Sequence, residues 1–276
     1  MGKTIALLML AATLGAPGCS VLRPTVRGCA TMPVASPCPA AVFIADGAGN
    51  FQSCSRSFLD AVASARVPLR VHTYSWSHGK GRIVADQLGF RHAQNEGIKL
   101  AALIEDFHRR QPQTPIFVVG HSAGSSVAIT ALEHTSPGTV RQAFLLAPSI
   151  SANYDLRPAL RNLRECLHVH YSSSDWWYLG LATQIVGTQD RAWLSPASGR
   201  VGFRLELQSE EDQVLAAKLR QRPWTPADND AGHHGGHFGA YQVEFLQREV
   251  FPWMLASSAT LPAEAAHARA AETPRP

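Results

Sequence analysis

Ser122 stands between two glycines in the run Gly120-His121-Ser122-Ala123-Gly124, a Gly-x-Ser-x-Gly pattern. Chance alone supplies roughly 0.1 such strings in a chain of this length, so the setting carries more weight than the string. Ahead of it, Ile116-Phe117-Val118-Val119 is short, apolar and partly β-branched, with Pro115 before it, and reads as a buried strand. Behind it, residues 125–133 carry Val127, Ala128, Ala131 and Leu132 at helical spacing, closed by Pro137-Gly138. A turn that tight would hold the serine backbone in a strained conformation and thrust its Oγ into a cleft, with glycines where a Cβ would collide. The helix start beneath it offers free N–H groups to a developing negative charge. The chemistry expected is therefore nucleophilic attack by a hydroxyl. A serine is a poor nucleophile until a positioned base takes its proton, and the base needs a carboxylate to fix its tautomer.

Both partners have candidates downstream. The strand at 167–171 runs into Ser172-Ser173-Ser174-Asp175, which puts Asp175 at a strand end. Asp190, after Ile185-Val186-Gly187-Thr188-Gln189, competes for the same role from a shorter run. Three histidines compete for the base: His233, His234 and His237, in a glycine-bearing loop. His237 directly precedes the last helical stretch and is preferred, with the unused two read as solvated loop.

These residues need a scaffold that brings them together. Apolar runs at 41–45, 69–76, 116–119, 143–147, 166–171 and 201–207 read as strands. Between them lie helical stretches: one marked by Cys54, Phe58, Leu59 and Val62; a long one over 81–110 with Leu100, Leu103, Ile104 and Phe107 on one face; then 125–133 and 158–165. A last helix over 238–251 turns Phe238, Tyr241, Phe245 and Leu246 inward. Strands alternating with crossover helices must run parallel and be covered on both faces. The expected fold is α/β: a doubly wound, mainly parallel sheet of about six strands. Ligands bind such sheets beyond the carboxyl ends of the strands, where Asp46, Ser122 and Asp175 all fall.

Over residues 40–255 the chain resembles the α/β-hydrolase family in its lipase and esterase branch. The resemblance lies in the elbow at Gly120 to Gly124, in the order serine, acid, histidine, and in the glycine-bearing loop Asp46-Gly47-Ala48-Gly49-Asn50 after the first strand. It implies transfer of an acyl group to water by Ser122, Asp175 and His237, without cofactor or metal. It also implies an oxyanion hole formed by the backbone N–H groups of Ala123 and Ala48. The family's usual His-Gly at the start of that loop is Asp46-Gly47 here, and Asp46 reads equally as a loop-shaping or a turn-initiating residue. The first two antiparallel strands of larger members have no counterpart, which gives a compact core.

The 276 residues, 45% hydrophobic and 17% charged, suit one globular domain with a substantial core. A net charge of +4 without a basic stripe interleaved with aromatics excludes nucleic acid as the expected partner. A small-molecule or lipid ester is expected instead. Lys3 followed by apolar residues 5–14 has the form of a secretory signal over residues 1–18, and 19–39 reads as a linker. Ala16-Pro17-Gly18-Cys19 resembles a lipobox, so Cys19 is an expected lipid anchor, with ordinary cleavage the alternative. The protein is accordingly expected to be exported, as a membrane-anchored lipoprotein or in a periplasmic or extracellular form. Residues 256–276, rich in Ala, Ser, Thr and Pro, read as a disordered tail. Cys29, Cys38, Cys54 and Cys166 permit three pairings, with Cys29–Cys38 favoured.

Rival functions remain at this level. His168-x-His170 with the 233–237 histidines would fit a metal hydrolase, though no His-Glu-x-x-His is present. A non-catalytic binding protein on a hydrolase scaffold is the other alternative. Ser77-His78-Gly79-Lys80-Gly81 lacks phosphate-loop spacing and reads as a turn at the border of the cleft. Trp76, Trp176, Trp177 and Tyr178 near strand ends could line an apolar acyl pocket.

Overall fold

The computed structural model describes residues 40–175, 190 and 195–256. The signal and linker expected at 1–39, the tail from 257, the Cys29–Cys38 pairing, and Trp176, Trp177 and Tyr178 lie outside the described residues.

Among the described residues a six-stranded parallel sheet forms the centre, built from β1 (Ala40–Ala45), β2 (Leu69–Tyr74), β3 (Ile116–His121), β4 (Gln142–Leu146), β5 (Leu167–Tyr171) and β6 (Leu219–Pro223). Its spatial order is β2-β1-β3-β4-β5-β6. Every residue of β1, β3 and β4 is buried, as strands covered on both faces must be. The two-residue alternation of strand side chains divides them between two cores. Ala41, Phe43 and Ala45 face one, with α3 (Phe90–Arg110) and α4 (Gly124–His134). Val42, Ile44, Phe117 and Phe144 face the other, with α1 (Ser53–Ala65) and the C-terminal helical segment.

The sheet grows outward in both directions from β1 and β3, so the loops that leave their carboxyl ends part from one another and open a crevice. Residues 46–50 follow β1, and the Ser122 turn follows β3. α3 and α4 pack closely over this pair because Gly97 has no side chain: a Cβ there would come within 2.8 Å of the Val127 carbonyl oxygen.

Several expectations need correction. The last strand is not at 201–207. A short helix, Ser198–Val201, precedes an irregular stretch in which the Phe203 N–H donates to Gln221 Oε1 (2.6 Å) and the Phe203 carbonyl accepts from Gln221 Nε2 (2.9 Å). The slot beside β5 is taken by β6, Leu-Arg-Gln-Arg-Pro, whose polar residues suit an edge position and whose Pro223 closes it. The helical region 81–110 is two helices, α2 (Ile83–Leu88) and α3, separated at Gly89, where a Cβ would meet the Ala85 carbonyl oxygen at 2.7 Å. The 158–165 helix is α5 (Arg157–Asn162), and the helix Glu210–Ala216 was not expected.

The last helix is also interrupted. A 3-10 turn, Gly239–Tyr241, is followed by Val243–Phe245, a π-helical turn Leu246–Val250, and Phe251–Leu255. Pro252 lacks an N–H and its ring would crowd the carbonyl four residues back, so the backbone widens just ahead of it. Phe238, expected inward, is 43% exposed. Cys54 and Cys166 are free thiols, and Arg220 Nε donates to the Cys166 sulfur (3.1 Å).

Candidate active site

β3 ends in a turn that puts Ser122 at φ 50, a left-handed conformation uncommon outside glycine. Backbone bonds hold it there: Ser122 N–H donates to the Leu146 carbonyl (3.1 Å), and Ser125 and Ser149 N–H groups donate to the Ser122 carbonyl (3.1 and 3.2 Å). The flanking glycines are sterically required. A Cβ at Gly120 would lie 2.7 Å from the Ser125 Cα, and one at Gly124 would overlap the Ala45 and Asp46 carbonyl oxygens. The side chain of Ser122 therefore leaves the turn toward the crevice, and α4 begins directly behind it.

His237 Nε2 lies 2.9 Å from Ser122 Oγ. On the other side of the ring, Nδ1 lies 2.6 Å from Asp175 Oδ2. An ionised carboxylate only accepts, so Nδ1 carries the proton and Nε2 is left to accept from the serine hydroxyl. Asp175 and His237 are buried, at 2% and 6% exposure. Ser172 Oγ, just upstream of the acid, donates to the Gly235 carbonyl (2.7 Å) and ties the acid loop to the histidine loop.

The competing residues go elsewhere. Asp190 Oδ1 accepts from the Ser151 N–H (3.0 Å). His233 is buried against Phe245 and accepts from the Gly235 N–H through Nδ1 (3.2 Å); burial holds its pKa down to about 4 and keeps it neutral. His234 is exposed and meets the Asn229 side chain, 3.3 Å away. His168 stacks on Phe144 and meets Gln142 Oε1 at 3.1 Å, and His170 packs edge-on against Phe245. Among the described residues, no group of three or more His, Cys, Asp or Glu is arranged to hold a metal ion.

The loop after β1 crosses in front of the elbow. A Cβ on Gly47 would lie 3.3 Å from the Ser122 Cβ, so this backbone approaches the nucleophile as closely as a glycine permits. Ala48 and Ala123, the expected oxyanion donors, have no acceptor for their N–H groups among the described residues. Asp46 shapes this loop by capping α1. Its Oδ1 accepts from the Cys54 and Ser55 N–H groups (2.8 and 3.2 Å) and its Oδ2 from the Ser55 hydroxyl, satisfying donors that Gln52, at the N-cap position, leaves open.

The sequence reading overlooked one further contributor. His121 is buried beneath His237, with its ring centroid 5.0 Å away and its Nε2 directed at the His237 carbonyl at 3.4 Å. Burial, then the neighbouring His237, push its pKa well below the usual value, so it serves as a neutral platform. Its only sequence signal is its place as the first variable residue of Gly-x-Ser-x-Gly. Trp76, read from the sequence as a possible lining of an acyl pocket, is buried, and its indole donates to the Asp46 carbonyl (2.7 Å). An open depression of ≈ 310 Å³ lies against the acid and base, lined by Ser174, Asp175, His234, His237, Phe238 and Gln242.

The histidine loop is anchored from below by Asp228, in the 3-10 turn Pro226–Ala231. Arg222 grips its two oxygens at 2.9 and 2.6 Å, Arg248 reaches it at 3.0 Å, and the Thr225 N–H donates at 2.9 Å. Burial works to raise this carboxyl's pKa, but the Arg222 and Thr225 bonds outweigh it and hold it down to about 2. A folded-state pKa below the unfolded value of ~3.9 contributes stability above that pH and loses it as pH falls toward the folded value. Urea unfolding from pH 5 to 2.5 should therefore show a stability loss between about pH 4 and 2 that is smaller in Asp228→Asn. An equal slope in both proteins would remove Asp228 as its source.

A family model described as serine aminopeptidase, S33 (Hydrolase_4) matches residues 78–195, a span that includes Ser122 and Asp175 and ends before His237. Among solved structures, the chain is similar to a poly(3-hydroxybutyrate) depolymerase from Bordetella parapertussis, with 14% identity, 85% of each chain covered and a TM-score of 0.48. It is similar also to the catalytic core of an acetyl xylan esterase from Trichoderma reesei (14% identity, 78% of this chain and 100% of that one, TM-score 0.41). A Trichoderma reesei cutinase matches at 22% identity over 45% of this chain and 59% of its own, with a TM-score of 0.34. No curated protein matches the chain.

Proposed function

We infer that this chain, an α/β-hydrolase, cleaves carboxylic esters through an acyl-enzyme on Ser122. What carries the inference is the unbroken hydrogen-bonded run from Ser122 Oγ through His237 to Asp175, with steps of 2.9 and 2.6 Å. As Oγ attacks the ester carbonyl, its proton passes to His237 Nε2, and Asp175 steadies the imidazolium through Nδ1. The carbonyl oxygen, now an oxyanion, accepts from the Ala123 and Ala48 N–H groups. His237 returns the proton to the departing alkoxide, which leaves as the alcohol. Water then repeats the cycle on the acyl-enzyme, with His237 as its base, and the acid is released.

Esters are favoured over the free N-termini that an aminopeptidase must grip with a carboxylate. Among the described residues, the buried carboxylates Asp46, Asp86 and Asp175 are each committed within the protein: Asp46 to Cys54 and Ser55, Asp86 to Gly49, Ser77 and His78, and Asp175 to His237. Hydrolysis of a nitrophenyl ester series from acetate to decanoate, run beside aminoacyl nitroanilides, tests this assignment. Ester turnover by the purified protein with little or no nitroanilide turnover is expected. Failure on every ester by correctly folded protein would instead favour a binding role for the scaffold.

We also propose that residues 1–18 direct export and that Cys19 carries a lipid anchor, leaving residues 40–255 as a tethered hydrolase domain. Mass measurement of the mature N-terminus tests this: a diacylglyceryl adduct on Cys19 is expected, and an unprocessed Met1 would contradict it.

A further inference from the structure

The helix α2, Ile-Val-Ala-Asp-Gln-Leu, is oriented against its own hydrophobicity. Its one buried residue is Asp86, at 0% exposure, while Ile83, Val84 and Leu88 are 50%, 66% and 37% exposed. Such a helix gains little from the apolar cores beneath it. The carboxylate it carries inward accounts for its position. Asp86 Oδ2 accepts from the Gly49 N–H (2.7 Å) and the Ser77 hydroxyl (2.5 Å), and Oδ1 accepts from the His78 N–H and from His78 Nδ1 (both 2.8 Å). A buried carboxylate so surrounded by donors is firmly held, and each donor is held in return.

One of those donors lies in the loop that bears Ala48. The Gly49 N–H belongs to the peptide joining Ala48 to Gly49, so its bond to Asp86 fixes the peptide adjacent to the Ala48 N–H. Two further bonds from the same side complete the grip: the Gly81 N–H donates to the Gly49 carbonyl (2.9 Å), and the Trp76 indole donates to the Asp46 carbonyl (2.7 Å). Gly49 itself has φ 88, and a Cβ there would lie 2.8 Å from Ile83 Cγ1, so the loop can sit beneath α2 only as a glycine. The Ser77 to Gly81 segment thus joins the oxyanion loop to α2 through this carboxylate.

We propose that Asp86 is a positioning residue for the oxyanion hole, aiming the Ala48 N–H at the developing oxyanion by fixing the Ala48–Gly49 peptide. The proposal rests on the serine-hydrolase reading above. An oxyanion donor is worth most when its direction is set before the charge develops, so a loosened loop should slow the chemical step and leave substrate binding nearly unchanged.

The test measures Asp86→Asn and the milder Ser77→Ala against wild type and Ser122→Ala. The readouts are kcat, KM and the Ki of a trifluoromethyl ketone, which binds serine hydrolases as an oxyanion-bearing hemiketal. Asp86→Asn should lower kcat about 10- to 100-fold, short of the ~10²- to 10³-fold typical when a donor is lost outright. KM should stay within about twofold, and Ki should rise by the same factor as kcat falls. Ser77→Ala, which keeps the carboxylate, should show the same pattern at several-fold and serves if Asp86→Asn does not fold. A folded variant with wild-type kcat and Ki, or losses matched only by a smaller folded fraction, overturns the role of Asp86 while leaving the hydrolase reading intact. A wild type that hydrolyses no ester sinks both.

Discussion

Replacing Ser122 with alanine should lower kcat/KM toward nitrophenyl esters by at least ~10³-fold while the fold persists. The size follows from what is removed. Without Oγ there is no atom to form the acyl-enzyme, and His237 Nε2, 2.9 Å away, loses the proton it is poised to accept. Residual rate would come only from water attacking a carbonyl still held by the oxyanion donors. Stability should change little, because the bonds that fix the turn are backbone bonds to Leu146, Ser125 and Ser149, which alanine keeps. The strain of φ 50 is shared by both residues. Steady-state kinetics with circular dichroism melting checks both halves, and near-wild-type turnover by Ser122→Ala would remove Ser122 from the chemistry.

Asp175→Asn should be nearly as damaging, about 10³- to 10⁴-fold in kcat, through the tautomer of His237 rather than through charge alone. Asparagine can direct its NH₂ at Nδ1, 2.6 Å from the present Oδ2. That favours the ring with its proton on Nε2, where it faces Ser122 and cannot receive the hydroxyl proton. Asp190→Asn is the informative control. Its carboxylate accepts from the Ser151 N–H, so its loss should cost no more than a few-fold. If the two variants exchanged places, Asp190 and not Asp175 would be the partner of the base.

The parts of this molecule that were legible in its sequence are those in which residue type and geometry leave little choice. Wholly apolar runs such as Phe117-Val118-Val119 and Phe144-Leu145-Leu146 can only be covered strands, and a serine flanked by glycines at the end of one has few alternatives to a tight turn. β6 was missed for the converse reason. An edge strand of Leu-Arg-Gln-Arg-Pro carries no hydrophobic period, and the alternation at 201–207 imitated one. The arginines that disguise it have specific partners: Arg220 lies over Trp253 and Arg222 over Phe245, and Arg222 also grips Asp228.

Supporting residues were harder to see than reacting ones. Beyond its place in the Gly-x-Ser-x-Gly run, nothing local marks His121 as the platform for His237, since its contact spans 116 positions. Asp86 left a faint trace, a lone acid in Ile83-Val84-Ala85-Asp86-Gln87-Leu88, but hydrophobic periodicity assigns such a residue to solvent. Only the tertiary fold shows that the apolar side faces out. The preference for His237 over its two neighbours depended on adjacency to the last helix, and that helical segment proved to begin in a 3-10 turn at Gly239, capped by Phe238.

The central claim is that a hydroxyl on a strained turn is activated by a distant imidazole. Mass spectrometry of the protein after reaction with a fluorophosphonate, with ester turnover followed in parallel, tests it most directly. One phosphonyl group per chain on the peptide containing Ser122, in step with loss of activity, is the outcome expected. Full turnover by protein that never becomes labelled, or labelling confined to some other residue as activity disappears, would contradict it.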